Sequence, residues 1–484
     1  MSDKEIRVRF APSPTGYLHI GGLRTALYNY LFAKNKKGKF ILRIEDTDRN
    51  RYVEGAVENL ISTLNWAGLQ ADEGPKYGGD YGPYLQSERL DIYNEHIKKL
   101  IDDGKSYYCF CTQERLTELR EKQKKETIQT KYDKHCLKFS KEEIDNKLNN
   151  NIPFVIRLNV EPNKKILFND IIRGEVTFNS DTIDDQILIK SDGFPTYHFA
   201  NVVDDHLMKI THVIRGEEWI SSTPKHVLLY DYFNWERPQF AHLPLLLNSD
   251  KSKLSKRQGD VAVEDYIQKG YLKNALINFI ALLGWNAGDD KEYYTLDELT
   301  NAFSLEGVNK SGAVFNLEKL NWLNAEHLRN ISNDEILIML KDEISKSKYS
   351  NFNGTDKYLL LIIEAMKERV SFVKEYIEKC PYFFEPPSEY DEKVMKKRWK
   401  EDSPDLLKIF SQRIEQLVSP TKEGYERILK KLCEEKEIGL GRLIHPLRLA
   451  LSGVGIGPGI FDLIFILGTE ESLKRIDKAL NQIK

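Results

Sequence analysis

The chain has 484 residues, enough for several domains, and 41% of them are hydrophobic, enough to build sizeable cores. The formal net charge of −3 neither supports nor excludes a nucleic-acid partner, because such binding depends on local patches. No apolar run approaches membrane-spanning length, and the first residues show neither a secretion signal nor a transit peptide, so we expect a cytoplasmic protein.

The first 92 residues alternate between strand and helix patterns. Alternating apolar and basic residues predict a strand at 6–10, and apolar residues at helical spacing predict a helix from Gly21-Gly22 to about Lys34. A second strand is predicted at 40–44, with another helix after it. This order is typical of the opening of a doubly wound parallel sheet.

A turn rich in proline and glycine, APSPTGYLHIGG at residues 11–22, joins the first strand to the first helix. Because Gly21 and Gly22 lack side chains, a phosphate could approach free backbone N–H groups at the positive end of that helix. His19 is placed to donate to the same phosphates. The turn therefore indicates a phosphate site, although alone it could be an ordinary proline–glycine loop.

A compact cationic loop, KLSKR at residues 253–257, lies near the middle of the chain. Its cations, Lys253, Lys256 and Arg257, could offset the charge of a departing pyrophosphate. Alone, this loop could be an ordinary solvated basic segment. Together, the two segments predict a site that holds a triphosphate and stabilises it while its α-phosphorus is attacked.

The remaining residues change character twice. Residues 93–197 contain a helix, a cysteine cluster, a very polar stretch and strands predicted at 154–160, 175–178 and 186–190, which we interpret as an insertion in the catalytic domain. Parallel-sheet character resumes at 210–215.

From about residue 258 onward the pattern is mainly helical. One apolar helix is predicted from Tyr266 to Leu283, with Gly284 ending it. Residues 333–484 are predicted to be helical throughout.

The two phosphate segments resemble the paired motifs of class I aminoacyl-tRNA synthetases, in wording close to that of bacterial-type glutamyl-tRNA synthetases. Gly22 stands where the general class pattern has a second histidine. The similarity covers essentially the whole chain. Further matching segments are RIEDTDR (43–49), GPY (82–84), SDGFPTYH (191–198), NVVDDH (201–206), RGEEW (215–219) and PLRLALSG (446–453).

This resemblance implies a glutamate–tRNA ligase that activates L-glutamate with ATP, accompanied by Mg²⁺, and transfers it to tRNA(Glu). It implies a Rossmann-like α/β catalytic domain with a doubly wound parallel sheet, an inserted α+β acceptor-binding domain and an all-α remainder. The expected bounds are 1–92 and 198–257 for the catalytic domain, 93–197 for the insertion, 258–332 for a stem-contact domain and 333–484 for the anticodon-binding region.

A glutamate substrate needs an anion for its α-ammonium group and guanidinium groups for its γ-carboxylate. Glu45 follows the strand at 40–44, while Arg9 and Arg215 lie near the ends of two other strands, where ligands bind in open α/β sheets. A lone arginine at a strand end is more often part of a surface salt bridge. Two such arginines, together with Glu45 and Tyr197 in contexts that match the family, favour a substrate site.

The resemblance assigns a role to each candidate residue. It gives the ammonium group to Glu45, the γ-carboxylate to Arg9 and Arg215, polar contacts to Tyr197 and Asn201, and a main-chain contact to Ala11. Catalysis would fall to His19, Lys253 and Lys256, and ATP binding to His19, Gly21, Gly22, Glu218 and Lys256, with Trp219 near adenosine. Arg369 aligns with an arginine that reads the third anticodon base.

Three of the five cysteines, Cys109, Cys111 and Cys136, cluster in the sequence, which in a cytosolic chain favours a metal over a disulfide. The segment resembles the zinc site in the insertion of some bacterial glutamyl-tRNA synthetases. The resemblance implies one structural Zn²⁺, held by these thiolates and a fourth ligand.

The fourth ligand is open. One version of the family site has a histidine two residues after the last cysteine, where this chain has Lys138. A second version uses the position of Tyr132, which we favour, and His135 is the alternative. Three cysteines without a metal are the competing interpretation.

Other functions fit parts of the pattern. A small-molecule nucleotidyltransferase would share the glycine loop, and a truncated relative that attaches glutamate to tRNA would share the catalytic half, but neither needs the long helical region. A non-catalytic tRNA-binding module would not need His19, Glu45, Arg215 and Lys256 together. Glutaminyl-tRNA synthetase, the nearest alternative in substrate, typically has a β-barrel anticodon region. A monomer is expected, and the sequence does not decide whether glutamine tRNA is also charged.

Overall fold

The computed structural model describes residues 4–254 and 262–483. Within those ranges the chain forms two compact units. The first takes the residues up to 269 together with 276–317, and the second takes 270–275 together with the residues from 318 onward. Lys256 and Arg257 of the predicted cationic loop lie outside the described residues.

The first unit is a mixed α/β structure. Its strands are β1 (Arg7–Phe10), β2 (Lys39–Leu42), β3 (Ser106–Cys109), β4 (Val155–Leu158), β5 (Lys165–Asp170), β6 (Gly174–Asn179), β7 (Ile187–Ile189), β8 (His212–Gly216), β9 (Gln239–Leu243), β10 (Leu246–Leu247) and β11 (Ala313–Val314). The helices up to residue 302 are α1 (Ile20–Asn35), α2 (Ala56–Trp66), α3 (Leu90–Asp102), α4 (Gln113–Lys125), α5 (Lys141–Asn149), α6 (Tyr197–Leu207), α7 (Thr223–Tyr232), α8 (Val263–Gln268), α9 (Lys273–Ala281) and α10 (Leu296–Ala302). The first residues of α9 belong to the second unit.

The main sheet has six strands in the order β2-β1-β8-β9-β5-β6. Strands β2, β1, β8, β9 and β5 pair in parallel, and β6 returns antiparallel to β5. All four residues of β1 are buried, as expected for an inner strand of a parallel sheet. The structure therefore confirms the predicted fold class, and it brings the residues that follow β1, β2 and β8 to one edge of the sheet.

Residues 93–197 contribute to two different sheets. Strands β3, β4 and β7 form a separate antiparallel sheet, whereas β5 and β6 extend the main sheet beyond β9. The hydrogen bonds of β5 to β9 join strands that are distant in sequence, so local patterns did not reveal them.

The predicted single helix from Tyr266 to Leu283 is wrong. The structure has two helices there, because α8 ends at Gln268 and α9 begins at Lys273. Gly270, between them, has a φ of +87°. This left-handed conformation ends the first helix, and glycine adopts it without a steric penalty.

The second unit is helical, as predicted for residues 333–484. Its helices are α11 (Leu317–Asn330), α12 (Asn333–Lys346), α13 (Asp356–Met366), α14 (Glu375–Glu378), α15 (Glu392–Arg398), α16 (Ser403–Glu415), α17 (Lys422–Glu435), α18 (Gly441–Ser452), α19 (Ile460–Leu467) and α20 (Thr469–Gln482). One hydrophobic core runs through it, with buried residues such as Leu340, Ile362, Phe410, Leu432 and Leu463. In the part of the chain that the structure describes, no helix is both long and apolar enough to span a membrane.

Candidate active site

A cleft of about 670 Å³ lies at the edge of the main sheet where β1, β2 and β8 end. Most of the residues predicted for glutamate and ATP line it. They are Arg9, Ala11, His19, Gly21, Gly22, Glu45, Tyr197, Arg215, Glu218, Trp219 and Lys253. Asn201 does not line this cleft; it is buried on α6, and its Nδ2 has no partner among the described residues.

His19 caps the first helix. The Gly22 N–H donates to His19 Nδ1 over 3.1 Å. The sequence had predicted a free N–H at this position, and for Gly22 that prediction is wrong. Because Nδ1 accepts, the neutral ring carries its proton on Nε2, which is the donor atom of the ring. A Cβ on Gly21 would lie only 3.1 Å from His19 Cε1, so the glycine lets the imidazole sit against the helix end.

Glu45 lies in a buried network of charges. Arg43 donates to Glu45 over 3.1 Å and to Asp205 over 2.7 Å, and Arg9 donates through Nε to Asp205 over 3.0 Å. Burial raises the pKa of Glu45 to about 7, against the opposing pull of Arg43 and Arg9. Burial would also raise the pKa of Asp205, but the two arginines outweigh it and keep that pKa below its ordinary value.

Arg215 is held in a different way from Arg9. Its guanidinium donates to Tyr197 Oη at 3.2 Å and to Thr223 Oγ1 at 3.0 Å. It also donates to ring nitrogens of His242, at 3.2 Å, and His226, at 3.1 Å. Although Arg215 is only 5% exposed, no carboxylate among the described residues lies within ion-pairing distance of it.

The two arginines therefore differ in charge balance. Asp205 offsets the charge of Arg9, whereas no carboxylate in the described ranges offsets that of Arg215, which is therefore available to a ligand in the cleft. Burial raises the pKa of Tyr197, which keeps its phenol protonated and able to donate to the same ligand.

Glu218 and Trp219 lie beside this group. A Cβ on Gly216 would come within 2.2 Å of Glu218 Oε2, so the glycine makes room for this carboxylate against the backbone. The rings of Trp219 and Tyr197 are 4.2 Å apart between centroids. The cleft thus has an aromatic ring beside Arg215 and Tyr197, and a carboxylate against the backbone at Gly216.

His226, His242 and Asp170 are site residues that sequence reasoning missed. Asp170 accepts a hydrogen bond from His242 Nδ1 over 2.6 Å, and His242 lies opposite Arg215 in the β8–β9 register. A histidine within the otherwise apolar run of β9 was the available signal. Its partner on β8 could be identified only from the strand pairing.

Comparisons with known proteins agree over the whole chain. Residues 5–322 match the family described as tRNA synthetases class I (E and Q), catalytic domain, and residues 323–480 match an anticodon binding domain. A glutamate–tRNA ligase of Chloroherpeton thalassium is 54% identical, over 100% of this chain and 99% of that protein. The chain belongs to the glutamyl-tRNA synthetase family of class I.

Further members of this family support the assignment. A glutamate–tRNA ligase of Chlorobium chlorochromatii is 52% identical over 100% of this chain and 99% of its own length. The crystal structure of a glutamate tRNA ligase from Elizabethkingia meningosepticum, in complex with its amino acid, has a TM-score of 0.95 and 42% identity. That match covers 99% of this chain and 100% of the other.

The cysteine cluster fits the tetrahedral zinc site implied by the family resemblance. The Sγ atoms of Cys109, Cys111 and Cys136 all lie within 4.8 Å of one another. Tyr132 Oη lies 3.3 Å from Cys111 Sγ, whereas His135 does not join the converging ligand atoms. Three sulfurs and one phenol oxygen are thus available to hold Zn²⁺.

The thiols of the cluster share their protons unequally. The hydrogen bond with Cys136 lowers the pKa of Cys109 below its ordinary value, which favours the thiolate that a metal needs. The same bond raises the pKa of Cys136. A second cleft, of about 630 Å³, is lined by Cys109 and Cys111 and shares Glu45 and Tyr197 with the first.

Arg369 lies in the second unit, in a short 3-10 turn, Lys367–Arg369, that follows α13. Its side chain is exposed. Burial lowers the pKa of Arg448, and the positive charge of Arg369 lowers that pKa further. The two guanidinium groups are therefore close enough to repel each other.

Proposed function

We propose that the protein is a glutamate–tRNA ligase that works in the cytoplasm as a monomer. It activates L-glutamate with ATP and transfers the glutamyl group to the 3′ end of tRNA(Glu), with release of AMP and pyrophosphate. The observation that carries this proposal is Arg215, a buried cation in the cleft whose hydrogen-bond acceptors among the described residues are all neutral. A substrate carboxylate supplies the missing anion.

Glutamate fits the charges of the cleft better than glutamine. Arg215 and Tyr197 present hydrogen-bond donors, which a γ-carboxylate accepts through both oxygens. A carboxamide would turn an NH₂ group toward donors and leave a buried group unpaired. We also assign Arg9, which Asp205 holds, to the γ-carboxylate, with Asn201 on α6 as a polar partner. Glu45 takes the α-ammonium group.

The chemistry needs no nucleophile from the protein. The α-carboxylate of glutamate attacks the α-phosphorus of ATP, the bond to the bridging oxygen breaks, and pyrophosphate leaves. The terminal ribose hydroxyl of tRNA then attacks the adenylate carbonyl and displaces AMP. The protein contributes positioning and electrostatic stabilisation, for which we assign His19, Gly21, Gly22, Glu218, Lys253 and Lys256 to ATP, which binds with Mg²⁺.

We assign the parts of the chain accordingly. Residues 1–92 and 198–257 form the catalytic domain, residues 93–197 the acceptor-binding insertion, and residues 258–332 the stem-contact domain. Residues 333–484 bind the anticodon.

An ATP–pyrophosphate exchange assay tests the activity. Exchange should require L-glutamate and, as the family resemblance implies, tRNA(Glu). The tRNA should then carry glutamate at its 3′ end. Exchange that glutamine supports equally well, or glutamate transfer to an acceptor other than tRNA, would contradict the proposal.

Lys256 should contribute mainly to turnover. If its ammonium group offsets charge that develops on the phosphates, Lys256→Ala should lower kcat about a hundredfold, because one such donor is worth roughly 3–4 kcal/mol. Steady-state aminoacylation kinetics measure this. Lys251→Ala, an exposed lysine that does not line the cleft, is the control. A kcat within a few-fold of the unmodified enzyme would remove Lys256 from the site.

Metal analysis should find about one Zn per chain, because the three sulfurs and Tyr132 Oη provide four ligands. Cys136→Ser should lose the metal and impair tRNA charging more than global folding. Cys433→Ser, a buried cysteine of the second unit, should keep the metal. A fully active, metal-free preparation would refute the zinc site.

Arg369 should read the third anticodon base. A guanidinium can donate to one base edge and leave another unpaired, so Arg369→Gln should narrow the preference for C over G there by about 1–3 kcal/mol. Kinetics on two tRNAs that differ at that base measure the ratio of charging efficiencies. Arg427→Gln, an exposed arginine on α17, should leave the ratio unchanged. The same ratio in Arg369→Gln would show that Arg369 does not read the base.

A further inference from the structure

Two imidazole rings from different elements hold Arg215. Its Nε–H donates to His242 Nε2 at 3.2 Å, and Nη2 lies 3.1 Å from His226 Nδ1. His242 is on β9 and His226 is on α7, and both are at most 1% exposed. Because guanidinium can only donate, each ring must present an unprotonated nitrogen to it.

A second partner sets the proton position of His242. Its Nδ1 lies 2.6 Å from the buried Asp170 carboxylate, which also accepts from the N–H groups of Ile172 and Arg173. The proton of His242 is therefore on Nδ1, and Nε2 is the acceptor. Burial lowers the pKa of His242, which keeps the ring neutral.

His226 carries its proton on the other ring nitrogen. Its Nδ1 faces Arg215, so its proton is on Nε2, which lies 3.0 Å from His198 Nδ1. Burial lowers the pKa of His226 well below its ordinary value, and burial lowers that of His198 to about 4. The two rings that contact Arg215 are thus neutral, with opposite tautomers.

We propose that His226 and His242 are positioning residues, which fix Arg215 while leaving its charge uncompensated, and so set the preference for a carboxylate side chain. This inference rests on the proposed function. An aspartate or glutamate in place of either ring would also hold the guanidinium, but it would cancel the charge, as Asp205 does for Arg9. A neutral acceptor orients the group and keeps its full charge for the ligand.

Four substitutions, two at each histidine, test the proposal. The amide of asparagine reaches about as far as Nδ1 of histidine, and that of glutamine about as far as Nε2. His226→Asn and His242→Gln therefore keep an acceptor for Arg215, whereas His226→Gln and His242→Asn remove it. All four variants keep a polar side chain of similar size, so any general loss of stability should be similar for the two variants of the same histidine.

The readout is the KM for glutamate against the KM for ATP in tRNA charging. We expect the KM for glutamate to rise about tenfold or more in His226→Gln and His242→Asn, with the KM for ATP within about twofold, because a hydrogen bond to a charged group is lost. His226→Asn and His242→Gln should lie within a few-fold of the unmodified enzyme. The use of glutamine relative to glutamate should rise only in His226→Gln and His242→Asn, the variants that remove the acceptor.

Two results would overturn the proposal. One is the same KM for glutamate in the two variants of each histidine, the one that keeps the acceptor and the one that removes it. The other is a parallel rise in the KM for glutamate and the KM for ATP with a lowered Tm. Failure of the unmodified enzyme to charge tRNA with glutamate would instead overturn the proposed function. Nitrogen NMR of the histidine-labelled protein is an independent check, since His242 should be a neutral Nδ1–H tautomer and His226 a neutral Nε2–H tautomer. A charged ring or the opposite tautomer at neutral pH would also overturn it.

Discussion

Arg215→Ala should reduce kcat/KM for glutamate about a thousandfold and leave ATP binding nearly unchanged. The substrate γ-carboxylate would enter a buried site without its cation, and breaking such a pair costs about 3–5 kcal/mol. The effect should exceed that of losing one neutral hydrogen bond, because no carboxylate among the described residues is paired with Arg215. The ligand carboxylate therefore meets the full charge of the guanidinium. Charging kinetics at varied glutamate and varied ATP measure the two constants separately.

Arg215→Lys is the matched variant. Lysine keeps the charge, but its single nitrogen cannot reach Tyr197, Thr223 and the two histidines in the fixed fork of a guanidinium. We expect a KM for glutamate between those of alanine and arginine. If glutamate and ATP weaken equally in Arg215→Ala and the Tm falls, Arg215 has a structural role instead.

Glu45→Gln should raise the KM for glutamate by a hundredfold or more. The carboxylate is the anion we assign to the α-ammonium group, and removal of one partner of a buried charge pair typically costs about 2–5 kcal/mol. Asp46→Asn is the control, because Asp46 is the adjacent buried carboxylate, binds Ser87 and does not line the cleft. An equal rise in both variants would point to a general disturbance of the loop after β2.

The pH dependence of glutamate binding should follow Glu45. Its pKa of about 7 means that the carboxylate is mostly protonated at pH 6 and mostly ionised at pH 8. Since only the ionised form attracts an ammonium group, the KM for glutamate should be about tenfold higher at pH 6 than at pH 8. The KM for ATP should not show this step, and Glu45→Gln should lose it. A flat profile in the unmodified enzyme would contradict the assignment.

The sequence predicted the sheet and the cleft well because both depend on local patterns. Strand β1, the glycine turn and helix α1 follow one another directly, so the periodicity of a short segment is enough to place His19 at a helix end. Glu45 and Arg215 could be placed at the sheet edge because each follows or ends a strand of a parallel sheet. The roles of these residues came from the family resemblance.

The features that could not be predicted from the sequence depend on long-range strand pairing or on a single torsion angle. The Arg215–His242 contact arises from the register of β8 and β9, and Asp170 reaches His242 across 72 residues. The left-handed conformation of Gly270 ended a helix that the apolar pattern continued. The engagement of the Gly22 N–H depends on the rotamer of His19, which no pattern records.

Under the proposed assignment, the charges at the sheet edge should disfavour glutamine but not aspartate. Arg9 and Arg43 pair with Asp205 and Glu45, whereas no carboxylate among the described residues pairs with Arg215. Both glutamate and aspartate carry the single net negative charge that would neutralise Arg215. Length must therefore separate them. Glu45 follows β2 and Arg215 lies on β8, two strand spacings apart with β1 between them, which is about 10 Å between backbones. Under the proposed assignment, the strand spacing therefore sets the length of substrate that can contact both residues, and an amino acid one methylene shorter would not span it.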